Sequence, residues 1–293
     1  MASTSSALVK SVSAALVALA ALCGCRGTKT PDAERPASAA PEVEGTHAEV
    51  LENGARVVWL GDVAGDKLNP RSLFPEAPDS LFEALGLSDG VPSSMSAFLA
   101  EVDGEKVLFD AGLGAPAGRA LARLEALGVS PDEIRTIYLT HFHADHVGGL
   151  VARDGDGAPS KVFRNAAVWA CRAERDAWMN DIPNNALQKT VVELYGDSLR
   201  LFEYGDVLPH GVTALDAAGH TPGHAAFRLS NLLVAGDLMH GYALQKDHPE
   251  YNSGYDMDGP KSAESRARLL RLARENGLLV AGMHFPAPGF ARP

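Results

Sequence analysis

The chain reads as a mixed α/β (α+β) protein in which strands occur both in hairpins and in alternation with helices. Two observations carry this: a pair of apolar runs joined by Asp103-Gly104, and amphipathic segments that each lead into another apolar run. A third adds chemistry, because several short apolar stretches close on a glycine-flanked His or Asp.

Val57-Val58-Trp59-Leu60 predicts the first strand. Ala97 to Val102 and Lys106 to Phe109 form a hairpin, since Asp-Gly accepts the positive φ of a tight turn, and Asp110-Ala111-Gly112 closes it. Ala120 to Leu127 is amphipathic and stopped by Gly128; Ser130-Pro131-Asp132-Glu133 is a helix start with proline in the first turn. Ile137-Tyr138-Leu139 is the next strand. Helices are expected near Arg172 to Met179 and Leu187 to Tyr195, and short strands at Val212 to Ala217, Ala226 to Leu229 and Leu232 to Val234. Ser262 to Glu275 carries strong helix formers with Leu269, Leu270 and Leu272 on one side, and Gly277 ends it before a strand from Leu278 to Gly282.

The 293 residues hold one large or two small domains, and 46% hydrophobic content is ordinary for a globular core. One domain is the better reading, because the candidate ligand residues set out below span its length. Asp and Glu outnumber Lys and Arg by 37 to 26, giving a net charge of −11 and no basic stripe for phosphates, so nucleic acid is not an expected partner.

Residues 1–25 tell a separate story. Lys10 precedes a small, apolar stretch from Ser11 to Leu22, shorter than the roughly 20 residues of a spanning helix, which favours an export signal over an anchor. Leu22-x-Gly24-Cys25 resembles a bacterial lipobox, which implies a lipidated Cys25 as the membrane attachment and a periplasmic or membrane-anchored location. A disulfide is the plainer reading of Cys23 and Cys25, but one intervening residue places them poorly for it. Residues 26–48, rich in Pro, Ala and charge, form a flexible linker, and 49–293 the catalytic domain. Cys171 is expected to pack as a small buried hydrophobe.

Residues 140 to 146 read Thr-His-Phe-His-Ala-Asp-His. Neutral imidazole and carboxylate are the ligands a borderline cation such as zinc takes, and alternate residues at a strand end can point His141 and His143 at one ion. Asp145 and His146 fall where the chain turns towards a second. Incidental surface metal binding is the plainer reading of a His-rich tract, but further elements follow: Gly219-His220-Thr221-Pro222-Gly223-His224, Ala235-Gly236-Asp237 and Gly282-Met283-His284.

At this point the chain resembles the metallo-β-lactamase-fold superfamily, over roughly residues 49 to 291. The resemblance implies a four-layer αββα sandwich of two mixed sheets with metal sites at the strand ends. It implies that His141, His143 and His220 hold a first ion, that Asp145, His146 and His284 hold a second, and that Asp237 bridges them. Two Zn2+ per chain are expected, with other divalent metals possible. Asp110 is implied to orient a metal-bound His, with a turn cap as the equal alternative. His224 is expected to be a structural hydrogen-bonding residue, and His47, His210 and His248 ordinary polar ones.

The implied activity is hydrolysis of a small ester-like substrate by a hydroxide held between two metals, with Asp145 shuttling the proton. The bridging Asp and the C-terminal stretch resemble the methyl parathion hydrolase-like and lactonase branch, which favours a lactone or an aryl or organophosphate ester. A β-lactamase or a glyoxalase II-like thioester hydrolase is the alternative within the fold, and a non-catalytic metal-binding lipoprotein the alternative outside enzymes. His240 replaces a Tyr of related lactonases, so it either orients substrate or stabilises an oxyanion, or it is a plain wall histidine. Phe142, Tyr242 and Phe285 are candidate pocket walls, though aromatics at such positions are as often core. Relatives of this branch often carry a further final strand, so the pocket's last edge is expected to differ here. The oligomeric state is not legible.

Overall fold

The computed structural model describes residues 43–63 and 67–293. The expected signal and residues 26–42 of the expected linker lie outside the described residues. In chain order the first strands are β1 (Thr46–Val50), β2 (Arg56–Gly61) and β3 (Lys67–Asn69). Helix α1 (Asp79–Ala84) leads to β4 (Val91–Ser93), β5 (Ser96–Val102) and β6 (Glu105–Phe109). Helix α2 (Ala120–Ala126) precedes β7 (Ile134–Tyr138), and the short α3 (Ala144–Val147) precedes β8 (Val151–Arg153), β9 (Pro159–Lys161) and β10 (Ala167–Cys171). Helices α4 (Arg172–Asn180) and α5 (Ala186–Tyr195) come before β11 (Leu199–Phe202), β12 (Thr213–Asp216), β13 (Ala225–Leu229) and β14 (Leu232–Gly236). The chain ends with α6 (Tyr242–Gln245), α7 (Gly259–Glu275), β15 (Leu279–Gly282) and β16 (Phe290–Ala291).

Strands β1-β2-β5-β6-β7-β10-β11 form one sheet and β12-β13-β14-β15-β16 another. Both are mixed: β6, β7, β10 and β11 run parallel, as do β14 and β15, while the remaining neighbours are antiparallel. Strand alternation decides which face each side chain meets. Trp59, Phe98, Phe109, Tyr138, Phe227 and Val234 fill the space between the sheets. Their neighbours Val58, Leu60, Leu99 and Ile137 face outward onto Leu124 of α2, Trp178 of α4 and Tyr195 of α5. On the far side Leu233, Ala235 and Val280 pack against Leu269, Leu270 and Ala273 of α7. The result is the expected αββα sandwich.

Three local expectations are corrected. Ser130 caps a single 3-10 turn, Pro131–Glu133, rather than a helix, because β7 begins immediately at Ile134. Strand β1 starts at Thr46, so the last three residues assigned to the linker already pair with β2. A final edge strand is present, since β16 pairs antiparallel with β15 over two residues. Cys171 is buried and free, as expected. A small cluster of Leu73, Phe74, Phe82, Leu87, Val91 and Leu244 seats the β3-β4 hairpin beside α6.

Candidate metal centre

Every expected ligand lies just beyond the C-terminal end of a strand: His141 and His143 after β7, His220 after β12, Asp237 after β14 and His284 after β15, with Asp145 and His146 on α3. Strand alternation is not what aims the first two. Strand β7 stops at Tyr138, and Asp110 then captures the chain by accepting from the Thr140 amide at 2.8 Å and its hydroxyl at 2.7 Å. His141 and His143 therefore come from a loop and converge through different nitrogens, Nε2 and Nδ1, 2.9 Å apart.

His220 Nε2 lies 2.9 Å from His143 Nδ1, and Asp237 Oδ2 lies 3.3 Å from His220 Nε2 and 3.7 Å from His141 Nε2. On the other side of the same carboxylate, His146 Nε2 is 3.1 Å from Oδ1 and His284 Nε2 is 3.0 Å from Oδ2. Asp145 Oδ2 stands 3.5 Å from His284 Nε2 and 3.8 Å from His146 Nε2. The expected ligands form two groups, His141, His143, His220 and Asp237 on one side and Asp145, His146 and His284 on the other, each within 4.8 Å, and His240 lies within the same reach of Asp237 and His284.

These groups fit cations. His143 Nδ1 faces two imidazole nitrogens at hydrogen-bond distance and can share a proton with only one, while His146 Nε2 and Asp237 Oδ1, though 3.1 Å apart, are buried and not aligned for a hydrogen bond to each other or to another group. The donor set of imidazoles and carboxylates suits zinc.

The opposite nitrogens are committed, which aims the lone pairs. His146 Nδ1 donates to Asp110 Oδ2 at 2.7 Å, His220 Nδ1 to Asp256 Oδ1 at 3.1 Å, and His284 Nδ1 to the Ser94 carbonyl at 2.8 Å. Asp110 thus has the geometry of an orienting residue, at a left-handed φ of 57°. Gly149 follows the ligand run because a Cβ there would collide with the Ala111 carbonyl. His224 is no ligand: its Nδ1 donates to the Ala217 carbonyl at 2.9 Å and its Nε2 accepts from the Asp237 amide at 3.1 Å. His47, His210 and His248 stand away from the centre, beside Glu49, Thr136 and Glu250.

Two positioning residues escaped the sequence reading. Buried Glu174, at the start of α4, accepts from the Phe142 amide (2.9 Å), Trp178 Nε1 (2.7 Å), Thr221 Oγ1 (2.7 Å) and the Gly223 amide (2.8 Å), so it ties the His143 loop to the His220 loop. Fully buried Arg266, on α7, donates to Asp256 Oδ2 at 3.0 Å and to the Leu238 carbonyl at 2.7 Å. No motif marks either one, since both act through folding alone.

Burial pushes His143 and His240 down to about 4, so both are neutral at physiological pH. Burial also acts downward on His220, but its hydrogen bonds to Asp237 and Asp256 outweigh that and lift it to about 9. Burial would raise Asp237, yet the surrounding imidazoles hold it well below the carboxylate range.

His240 Nε2 lies 3.2 Å from Asp237 Oδ2, and its Nδ1 lies 3.2 Å from Ser253 Oγ. The ionised Asp237 carboxylate can only accept, so it favours the imidazole proton on Nε2, and the Ser253 hydroxyl, which accepts from the Tyr255 amide at 3.3 Å, can then donate to Nδ1. A cavity of about 380 Å³ opens above the cluster, with Lys67, Met95, Leu113 and Tyr255 among its walls. Of the two readings open for the aromatics near the ligands, core holds: Phe142 points into the helical layer, and Phe285 packs under α7 with Tyr242 against it at 4.6 Å.

The fold and this centre define a metallo-β-lactamase-type protein. The chain belongs to the metallo-beta-lactamase superfamily, whose family model matches residues 90–284. It is similar to the hydrolase AbOPH of the beta lactamase superfamily, at 26% identity and a TM-score of 0.73 over 86% of this chain and 94% of that one. It shares its fold with AidC, a dizinc quorum-quenching lactonase, at 23% identity and a TM-score of 0.74 over 85% and 93% of the two chains. Ribonuclease Z of Pyrococcus abyssi is 48% identical over 52 residues, 18% of this chain and 15% of that protein. The chain spans between 15% and 45% of the length of four curated relatives that it matches.

Proposed function

We propose that the protein is a binuclear metal-dependent hydrolase of small ester-like substrates, lactones or aryl and organophosphate esters, with zinc as the metal. The observation that carries the reading is Asp237, whose carboxylate faces two complete ligand groups on the floor of one cavity. Bound dications supply Lewis-acid polarisation of the substrate oxygen and acidify water at neutral pH.

The chain's own residues do the rest. His141, His143 and His220 would hold one ion and His146, His284 and Asp145 the other, with Asp237 shared. Asp145 lines the cavity and is its most solvent-reachable carboxylate, at 20% side-chain exposure, so it takes the proton of the attacking water and returns it to the leaving oxygen. Neutral His240 offers Nε2–H on the cavity wall as a donor to the charge that develops on the substrate. The buried carboxylates of Asp110 and Asp256 keep His146 and His220 from rotating, and buried Glu174 holds together the loops that carry His143 and His220.

Leu22-x-Gly24-Cys25 supports an exported protein held at a membrane by a lipidated Cys25. The deciding experiment is to purify the protein without residues 1–25, count its metals, and assay the same sample on an acyl lactone, an aryl phosphotriester and a cephalosporin. Two zinc ions with turnover of the lactone or the phosphotriester are expected. Two ions with no turnover of any ester, lactone, phosphotriester or β-lactam would leave a metal-binding protein.

A further inference from the structure

We propose that Lys67 recognises an anionic oxygen group on the substrate, so that the pocket selects esters or lactones bearing a carboxylate-type charge away from the bond that is cleaved. This rests on the hydrolase reading above and narrows its substrate class.

Among the described residues that line the cavity, Lys67 is the one Lys or Arg. Strand geometry puts it there. Residues two apart on a strand share a face, and Asn69, two residues on, sends its amide to the His240 carbonyl at 2.7 Å. Lys67 therefore lies on the strand face turned towards the metal centre, while Leu68 between them points away and is 53% exposed.

The hairpin that carries Lys67 is tied to the ligands from its other strand as well. Lys67 pairs in register with Ser93, whose hydroxyl donates to the His284 carbonyl at 3.1 Å, and the next carbonyl, of Ser94, accepts from His284 Nδ1 at 2.8 Å. A flexible lysine would be a weak selector on a loose loop; here both strands of its hairpin are bonded to residues of the centre.

Among the described residues Lys67 makes no ion pair. Asp145 and Asp237, the carboxylates of the same cavity, are instead surrounded by imidazoles. The other walls, Met95, Leu113, Ala144 and Tyr255, are apolar or aromatic. An ammonium beside these apolar walls gives the cavity a point of anion recognition set apart from the metal ligands. Its natural complement is one anionic oxygen group on a ligand whose reactive carbonyl sits over Asp237.

The test compares 4-nitrophenyl hydrogen succinate with its neutral methyl ester on the metal-loaded protein. In the natural protein kcat/KM should favour the anionic ester by about tenfold or more, mainly through KM. That ratio should fall towards one in Lys67→Met and invert in Lys67→Glu. An unchanged ratio in Lys67→Met overturns the proposal. A readout without turnover is the 13Cε resonance of Lys67, assigned by its loss in Lys67→Met. It should move with succinate monomethyl ester and not with dimethyl succinate; equal response to both overturns the proposal. If neither ester is cleaved, the hydrolase reading fails while this resonance still decides the role of Lys67.

Discussion

The Asp256 carboxylate joins two buried groups, accepting from His220 Nδ1 at 3.1 Å with one oxygen and from Arg266 Nη2 at 3.0 Å with the other. Burial would raise its pKa, but the His220 bond and the Arg266 charge win and hold it at about 2, against 3.8 ordinarily. A depressed carboxylate stabilises the fold above its unfolded value and loses that contribution as pH falls through its folded value. Asp256→Asn should destabilise the protein by about 3 kcal/mol, because Arg266 is left buried without a counter-charge. It should also remove the part of the acid transition between about pH 4 and 2. Urea unfolding of both proteins across that range is the measurement.

Glu174→Gln replaces two accepting oxygens with one, so a new amide must face two of the four donors now bonded to Glu174. A loss of about 2 kcal/mol is expected, with zinc affinity about tenfold weaker as the His143 and His220 loops separate. Urea unfolding of the metal-free protein should find the first effect and chelator competition the second; normal zinc affinity would reduce Glu174 to a purely structural tie.

Asp237→Ala and His240→Ala should part company. Removing Asp237 takes a ligand from both groups, so metal content and turnover should fall together. Removing His240 should leave two metals per chain and lower kcat by about 10²-fold, as loss of one transition-state donor does. Mass spectrometry of the native protein and steady-state kinetics separate the two; unchanged kinetics in His240→Ala would make it a wall residue.

Metal loading should release protons. His220, lifted to about 9 without metal, stabilises the empty fold fully below its ordinary value of 6.5 and loses that contribution as pH rises through about 9. A cation needs the deprotonated Nε2, so zinc affinity should climb from pH 6.5 to 9. Calorimetric titrations of zinc in buffers of different ionisation enthalpy would count the proton; no buffer dependence at pH 7 would refute it.

The parts legible in the sequence are those where chemistry or periodicity is local. His141 to His146 announce themselves as a run, and Ala97 to Phe109 carries its turn in Asp103-Gly104. Strands of two to four residues such as β3, β8, β9 and β16 are too short for alternation to show, and they form because longer neighbours seat them. The supports of the centre were hidden for another reason. Glu174 and Arg266 look like ordinary charged residues on amphipathic helices, and only the packing of α4 and α7 against the ligand loops turns them inward. The sequence left Phe142, Tyr242 and Phe285 open between pocket wall and core because nearness in sequence to a ligand says nothing of direction; Phe142 lies between two ligands yet faces away from both.

The ligands issue from both sheets, His141 and His143 beyond β7 of one and His220, Asp237 and His284 beyond β12, β14 and β15 of the other. A pair of bound cations is thus also a fastening, riveting the two slabs of the sandwich along one rim. Cleavage of the exposed hairpin tip between Arg153 and Pro159 would leave two fragments still joined by the β7–β10 pairing and the shared core, with the cations as a further tie that a chelator removes.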